Sequence, residues 1–247
     1  MSGHSKWHTI KHKKGALDAK RGKLFTKIIK EITVAARMGG GDPEANPRLR
    51  TVLLKAKSAN MPKDNIERAI KKGTGDMDGV DYVELQYEAY AAGGVGLLID
   101  ALTENKNRTA ADVRSILNKN GGQLAATGAV SYQFNRKGTI VYSAEGIDFD
   151  ALFEAALEAG ADDVAEEGGM VEVITDPSAF GDVLEALQAA GFTEEASEVA
   201  MVPDNTVELD AEKTGKVLKL IEKLEDCDDV QSVASNLDVP EDFEMTE

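Results

Sequence analysis

The sequence predicts an α+β protein: an N-terminal three-helix domain followed by two mixed α/β domains, one of them ferredoxin-like and inserted in the other. Three observations predict it. Charge divides the chain near residue 72, amphipathic periods of three and four dominate before that point, and short β-type runs alternate with helical ones after it.

The division in charge is sharp. Residues 1–72 hold 18 of the 28 Lys+Arg and 6 of the 44 Asp+Glu, a net +12, whereas residues 73–247 carry −28. The formal total of −16 averages two opposite lobes. Such asymmetry points to contact with nucleic acid or a membrane surface. With 247 residues, 42% of them apolar, the chain suits two or three domains with real cores. No apolar run reaches the length of a membrane span, and the basic start MSGHSKWHTIKHKK lacks the apolar stretch of a secretory signal. Cys227 is the sole cysteine, so no internal disulfide forms, and the chain fits a reducing compartment, the cytoplasm.

Residues 1–14 read as a basic arm with all three histidines and the single tryptophan. Between Ala16 and Arg37 the apolar residues Phe25, Ile28, Ile29, Ile32 and Ala36 form one helical stripe, which Gly39-Gly40-Gly41-Asp42-Pro43 ends. Asn46 caps a second helix with Pro47 at its first position and Leu49, Val52, Leu53 and Ala56 inward. A third helix runs from Pro62 to Lys72, with Ile66, Ala69 and Ile70 inward and Gly73 as its stop. Strands are expected at 82–90 and 94–103, a helix over Arg108–Lys119, and a strand over Ala129–Phe134. Then follow a strand (Thr139–Ser143), a helix (Phe149–Ala159), two strands flanking Glu167-Gly168-Gly169, a helix (Ala179–Ala190) and a strand (Ala196–Val202), the ferredoxin-like order. Thr206–Leu209, Ala211–Leu224 and Val230–Ser235 give strand, helix and strand, and these close the sheet begun at 82–134. The domains are accordingly 1–75, then 76–135 together with 204–240, with 136–203 inserted and 241–247 an acidic tail.

On the first helix Lys20, Lys23, Lys27, Lys30 and Arg37 fall in one arc opposite the apolar stripe, and Arg21 lies beside it. A row of cations along a helix suits a phosphate backbone, because each neutralised phosphate releases condensed counterion. Solvated helix faces usually mix signs, and only Glu31 intrudes here. In the arm, Lys6, Lys11, Lys13 and Lys14 surround Trp7 and His12, so an indole able to stack on a base sits among phosphate-binding cations. Docking of Trp7 onto a neighbouring domain is the alternative role. Arg48 and Arg50 extend the candidate contacts to the second helix.

Chemistry finds little to work with. His4, His8 and His12 share a spacing of four, but the lysines between them repel a cation, so no metal site is expected. The acidic lobe contains no histidine, hence no Ser–His or Cys–His pair of its own. Cys227 sits in Glu225-Asp226-Cys227-Asp228-Asp229, where neighbouring carboxylates give a thiol no activation. Gly39–Gly41 and Gly93-Gly94-Val95-Gly96 match neither phosphate-loop nor dinucleotide fingerprints. No catalytic residue and no cofactor is expected.

Several of these segments carry a family resemblance. Gly3-His4-Ser5-Lys6-Trp7, Ile10-Lys11-His12-Lys13-Lys14, Asp18-Ala19-Lys20-Arg21-Gly22-Lys23 and Phe25-Thr26-Lys27 resemble the opening of the YebC family. Gly40-Gly41-Asp42-Pro43, Asn46-Pro47-Arg48-Leu49-Arg50, Asn60-Met61-Pro62, Asn107-Arg108-Thr109 and the acidic run ending in Val230-Gln231 extend it over nearly the whole chain. That family includes the mitochondrial translational activator of cytochrome oxidase subunit one. The resemblance implies a three-domain α+β protein, with a helical N-terminal domain and two mixed domains, and no active site. It further implies one of two roles: a cytoplasmic DNA-binding transcriptional regulator, or a ribosome-associated translation factor on ribosomal or transfer RNA. A non-enzymatic nucleic-acid-binding regulator of gene expression is the leading expectation, the translation factor its alternative, and a metal-dependent hydrolase in the acidic lobe the most distant reading. DNA or RNA, and with RNA the ribosome, are the expected partners; a membrane is not.

Overall fold

The computed structural model describes residues 18–75, 81–240 and 243, with the side chains of 18–21 left aside. Three helices come first: α1 (Asp18–Gly39), α2 (Pro47–Ser58) and α3 (Lys63–Gly73). Their apolar stripes meet in a core of Ile28, Ile32, Ala35, Leu49, Val52, Ala56, Met61 and Ala69. The Asn46 side chain accepts the Leu49 N–H at 3.1 Å and donates to Ala35 O at 2.9 Å, so one residue starts α2 and ties it to α1. Gly73 permits the close approach of α3 to α1: a Cβ there would overlap the Thr33 carbonyl and lie 2.7 Å from Ala36 Cβ.

The second unit is built on a four-stranded sheet of order β3-β1-β2-β9, from β1 (Val83–Tyr90), β2 (Gly96–Thr103), β3 (Gln123–Leu124) and β9 (Val230–Ser235). β1 and β2 form an antiparallel hairpin whose turn uses Gly93 and Gly94 at φ 71° and 79°, the left-handed region. β9 returns antiparallel to β2, pairing Leu97 with Ser235. Helices α4 (Lys106–Lys119) and α7 (Ala211–Glu225) cover one face, burying Leu97, Ile99, Val113, Leu117, Val217, Leu220, Ile221 and Leu224.

Between β3 and the short strand β8 (Val207–Glu208) the chain makes a separate sheet of order β5-β6-β4-β7. Its members are β4 (Phe134–Ser143), α5 (Phe149–Glu158), β5 (Asp163–Glu167), β6 (Met170–Thr175), α6 (Phe180–Ala189) and β7 (Ala196–Pro203). This strand order with two helices on one face is the ferredoxin-like arrangement. Ile140, Tyr142, Val171 and Val173 meet Leu152, Ala156, Val183 and Leu187 in its core. It is inserted in the second unit, as the pattern of elements led us to expect.

Two expectations change. The strand placed at Ala129–Phe134 is instead a loop with a single 3-10 turn at Ser131–Gln133. Glu88, only 5% exposed, accepts the N–H groups of Gly128 (2.6 Å), Val130 (2.6 Å) and Ser131 (2.9 Å), and so takes those donors from any ladder. Burial disfavours the Glu88 charge, but those three N–H groups prevail and hold its pKa below the ordinary value. Secondly, of the C-terminal strands only β9 joins the sheet of β1 and β2. β8 pairs in parallel with β10 (Leu237–Asp238) as a two-stranded ladder.

Candidate nucleic-acid interface

Spacings of four and three along α1 place Lys23, Lys27 and Lys30 on one side of the helix, as its periodicity requires. That side meets the second domain. All three ammonium groups end on the acidic turn after α7. Lys27 Nζ donates to Glu225 O at 2.6 Å, Lys23 Nζ to Asp226 O at 3.1 Å, and Lys30 Nζ to Asp228 O at 2.9 Å. Carboxylates join them, Asp226 at 3.6 Å from Lys23 and Asp229 at 3.0 Å from Lys30. The last carbonyls of a helix lack intrahelical donors and carry partial negative charge, and the sequence here adds carboxylates to that pole. The lysine row therefore caps α7 from another domain. The contact deepens along the row: the Lys23 side chain is 48% exposed and that of Lys30 is 12%.

Asp229 is the centre of this contact. Its carboxylate, 7% exposed, accepts from Lys30, from Arg108 Nη2 at 2.8 Å, from Thr109 Oγ1 at 2.9 Å and from Thr103 Oγ1 at 3.1 Å. Burial opposes its ionisation, but hydrogen bonds from Arg108, Lys30 and Thr109 outweigh that and lower its pKa to about 2. The Asn107-Arg108-Thr109 and Glu225–Asp229 segments, far apart in the chain, thus form one junction with α1. Lys30 and Lys72 also lie over the Tyr82 ring, each 5.8 Å from its centroid. An open cleft of about 780 Å³ borders the junction, lined in part by Thr26, Asp112 and the half-buried Cys227.

The other cations named from the sequence fall into three groups. Lys6, Trp7, Lys11, His12, Lys13 and Lys14 lie outside the described residues, and the side chains of Lys20 and Arg21 are likewise not described. Arg37 pairs with Asp81, and Arg48 with Glu84. Arg50 folds back on its own approach loop, donating to Pro43 O at 3.2 Å and Glu44 O at 2.9 Å. Arg37, Arg48 and Arg50 are not left as one open phosphate-binding row, because acceptors of the second domain and of the local loop engage them.

Sequence reasoning passed over Lys57, Arg68 and Lys71. All three are exposed on α2 and α3, and their side chains have no hydrogen-bond or ion-pair partner among the described residues. Helical phase shows which residues turn from the core; it carries no signal for which of them meet a carboxylate from another domain. Among the described residues no group of His, Cys, Asp and Glu is placed to hold a metal ion, and no helix is long and apolar enough to cross a membrane.

Comparison with known proteins agrees with this architecture. Residues 5–76 match the family model described as the TACO1/YebC protein N-terminal domain, and residues 82–237 match that of the TACO1/YebC second and third domain. A protein of Treponema denticola named "probable transcriptional regulatory protein" is 64% identical over 247 residues, the full length of both chains. One of Geobacter sulfurreducens with the same designation is 59% identical over 239 residues, covering 97% of this chain and 96% of the relative. The crystal structure of a conserved hypothetical protein from Aquifex aeolicus, 47% identical, superposes with a TM-score of 0.79 over 90% of this chain and 92% of that one. Full-length identity, both family models and the shared fold lead to one conclusion: the chain belongs to the TACO1/YebC family.

Proposed function

We infer that this protein is a non-enzymatic, cytoplasmic regulator of gene expression that acts by binding nucleic acid, in the manner the relatives' designation as probable transcriptional regulatory proteins describes. The observation that carries the reading is the partition of charge, +12 in residues 1–72 against −28 in the remainder. A lobe with that excess attracts a polyanion, and the acidic lobe repels it, so contact is confined to one end of the molecule. Within the helical lobe the cations of α1 are largely engaged in holding the domains together. Phosphate contact then falls to the basic arm, Lys6 to Lys14, and to the unengaged Lys57, Arg68 and Lys71. The sequence carries no recognition-helix pattern of amide and arginine side chains for base edges, so contact is with the backbone and depends weakly on sequence.

Fluorescence anisotropy of the full chain on a labelled DNA duplex, repeated over a range of salt concentrations, tests this. Log affinity should fall linearly with log salt, with a slope of about −0.9 per phosphate engaged. Changing Lys57, Arg68 and Lys71 together to Gln should weaken binding and make the slope shallower while leaving the melting temperature unchanged. Absence of binding at low salt, or affinity indifferent to salt, would defeat the reading.

A further inference from the structure

The inserted unit, residues 134–203, contains 16 Asp+Glu against two cations, Arg136 and Lys137. A lobe of this composition excludes phosphate, so whatever it contacts is not nucleic acid. Its helix α5 also carries an apolar ridge that begins at Phe149, half-buried against the core, and continues onto the outer side. Leu152 and Ala156 face inward and are fully buried, whereas Phe153 and Leu157, one turn apart on the outer side, are 38% and 45% exposed. Phe149 continues the ridge by one more turn, and its ring lies 5.9 Å from that of Phe153. A second ridge runs beside the first with the same spacing: Asp150, Glu154 and Glu158, all exposed and without hydrogen-bond or ion-pair partners among the described residues.

We propose that this outer face of α5 is a docking surface for a cationic amphipathic helix of another protein. An i, i+4 apolar ridge accepts the apolar ridge of a second helix by ridges-into-grooves packing, and the carboxylate ridge alongside selects a partner bearing Lys or Arg next to its apolar residues. A second copy of this chain, whose Lys57, Arg68 and Lys71 are also unengaged, is the rival occupant that the sedimentation arm of the test separates. The acidic lobe thus recruits a protein while the basic lobe holds nucleic acid. This assignment does not depend on the nucleic-acid reading.

The test uses the full chain and a synthetic amphipathic helix made only of Leu and Lys, observed by backbone amide shifts of residues 149–158 and by anisotropy. The Leu/Lys peptide should shift those amides. Phe153→Ser with Leu157→Ser should weaken binding about tenfold or more, as loss of buried anchors does. Asp150→Asn with Glu154→Gln and Glu158→Gln, changes at exposed positions that leave the fold intact, should weaken binding as well and reduce its salt dependence. Equal binding of a Lys-only peptide, or shifts spread over the whole acidic lobe, would show attraction by bulk charge and overturn the proposal. So would a dimer in sedimentation that the Phe153 and Leu157 changes dissociate.

Discussion

Replacing Asp229 by Asn removes one charge from the centre of the junction between the helical lobe and the second domain. The carboxylate accepts from Lys30, Arg108, Thr103 and Thr109, and the amide that replaces it turns an N–H₂ toward groups that are themselves donors. Its depressed pKa, about 2 against an ordinary 3.8, sets the scale. At about 1.4 kcal/mol per unit, ionised Asp229 contributes about 2 kcal/mol at neutral pH. Turning the amide N–H₂ of Asn toward groups that are themselves donors adds to that, for a loss of about 3 kcal/mol. The folded pKa lies below the unfolded one, so the contribution is complete above pH 4 and is lost as pH falls toward 2. By the same linkage about 1 kcal/mol of it is gone at pH 3. Urea unfolding followed by circular dichroism at pH 7 and pH 3 measures both quantities. The deficit of Asp229→Asn should be about 3 kcal/mol at pH 7 and narrow by about 1 kcal/mol at pH 3. A deficit below 1 kcal/mol, or one identical at the two pH values, would refute the view that Asp229 holds this junction as an ion.

Two further predictions follow from other contacts. Changing Lys23, Lys27 and Lys30 together to Gln should lower stability by about 2–4 kcal/mol in the same assay, since Lys27 and Lys23 satisfy carbonyls at the end of α7 and Lys30 one in the turn that follows; a variant that melts like the parent would show those bonds to be incidental. Gly73→Ala should cost about 1–3 kcal/mol by forcing α3 away from the Thr33 carbonyl on α1, read as a lower urea midpoint with unchanged slope.

What the sequence conveyed well was local. Asn46 and Pro47 announce α2 through cap chemistry that needs no distant partner, and β9 begins and ends where its Val230–Ser235 run does. The ferredoxin-like order was legible because its elements follow one another without interruption. The loop at 125–131 was not, since Val130 and Phe134 are buried like strand residues while the group that organises the loop, Glu88, lies about 40 residues upstream. The site shows the same limit. Periodicity places Lys23, Lys27 and Lys30 in one row, but their acceptors stand about 200 residues away, and no local pattern reveals that they are taken. Arg108 and Asp229 likewise become functional neighbours only in three dimensions.

The inserted unit starts and finishes on one rung of its own ladder: Phe134 lies opposite Pro203, and the Asp204 N–H donates to Gln133 O at 2.8 Å. This arrangement bears on the order in which the protein assembles. Leu97 and Ser235, which pair β2 with β9, are 138 residues apart in the chain. Closing so long a loop is entropically unfavourable until the contacts form. Once the unit between Gln133 and Asp204 has folded, its ends are adjacent and about half of that loop no longer counts. Each halving lowers the closure cost by about 0.6 kcal/mol. The inserted unit therefore acts as a clasp that shortens the loop which the seam of β2 with β9 must close. The lysines of α1 hold the turn that leads directly into β9, so the helical lobe locks the seam that closes the molecule.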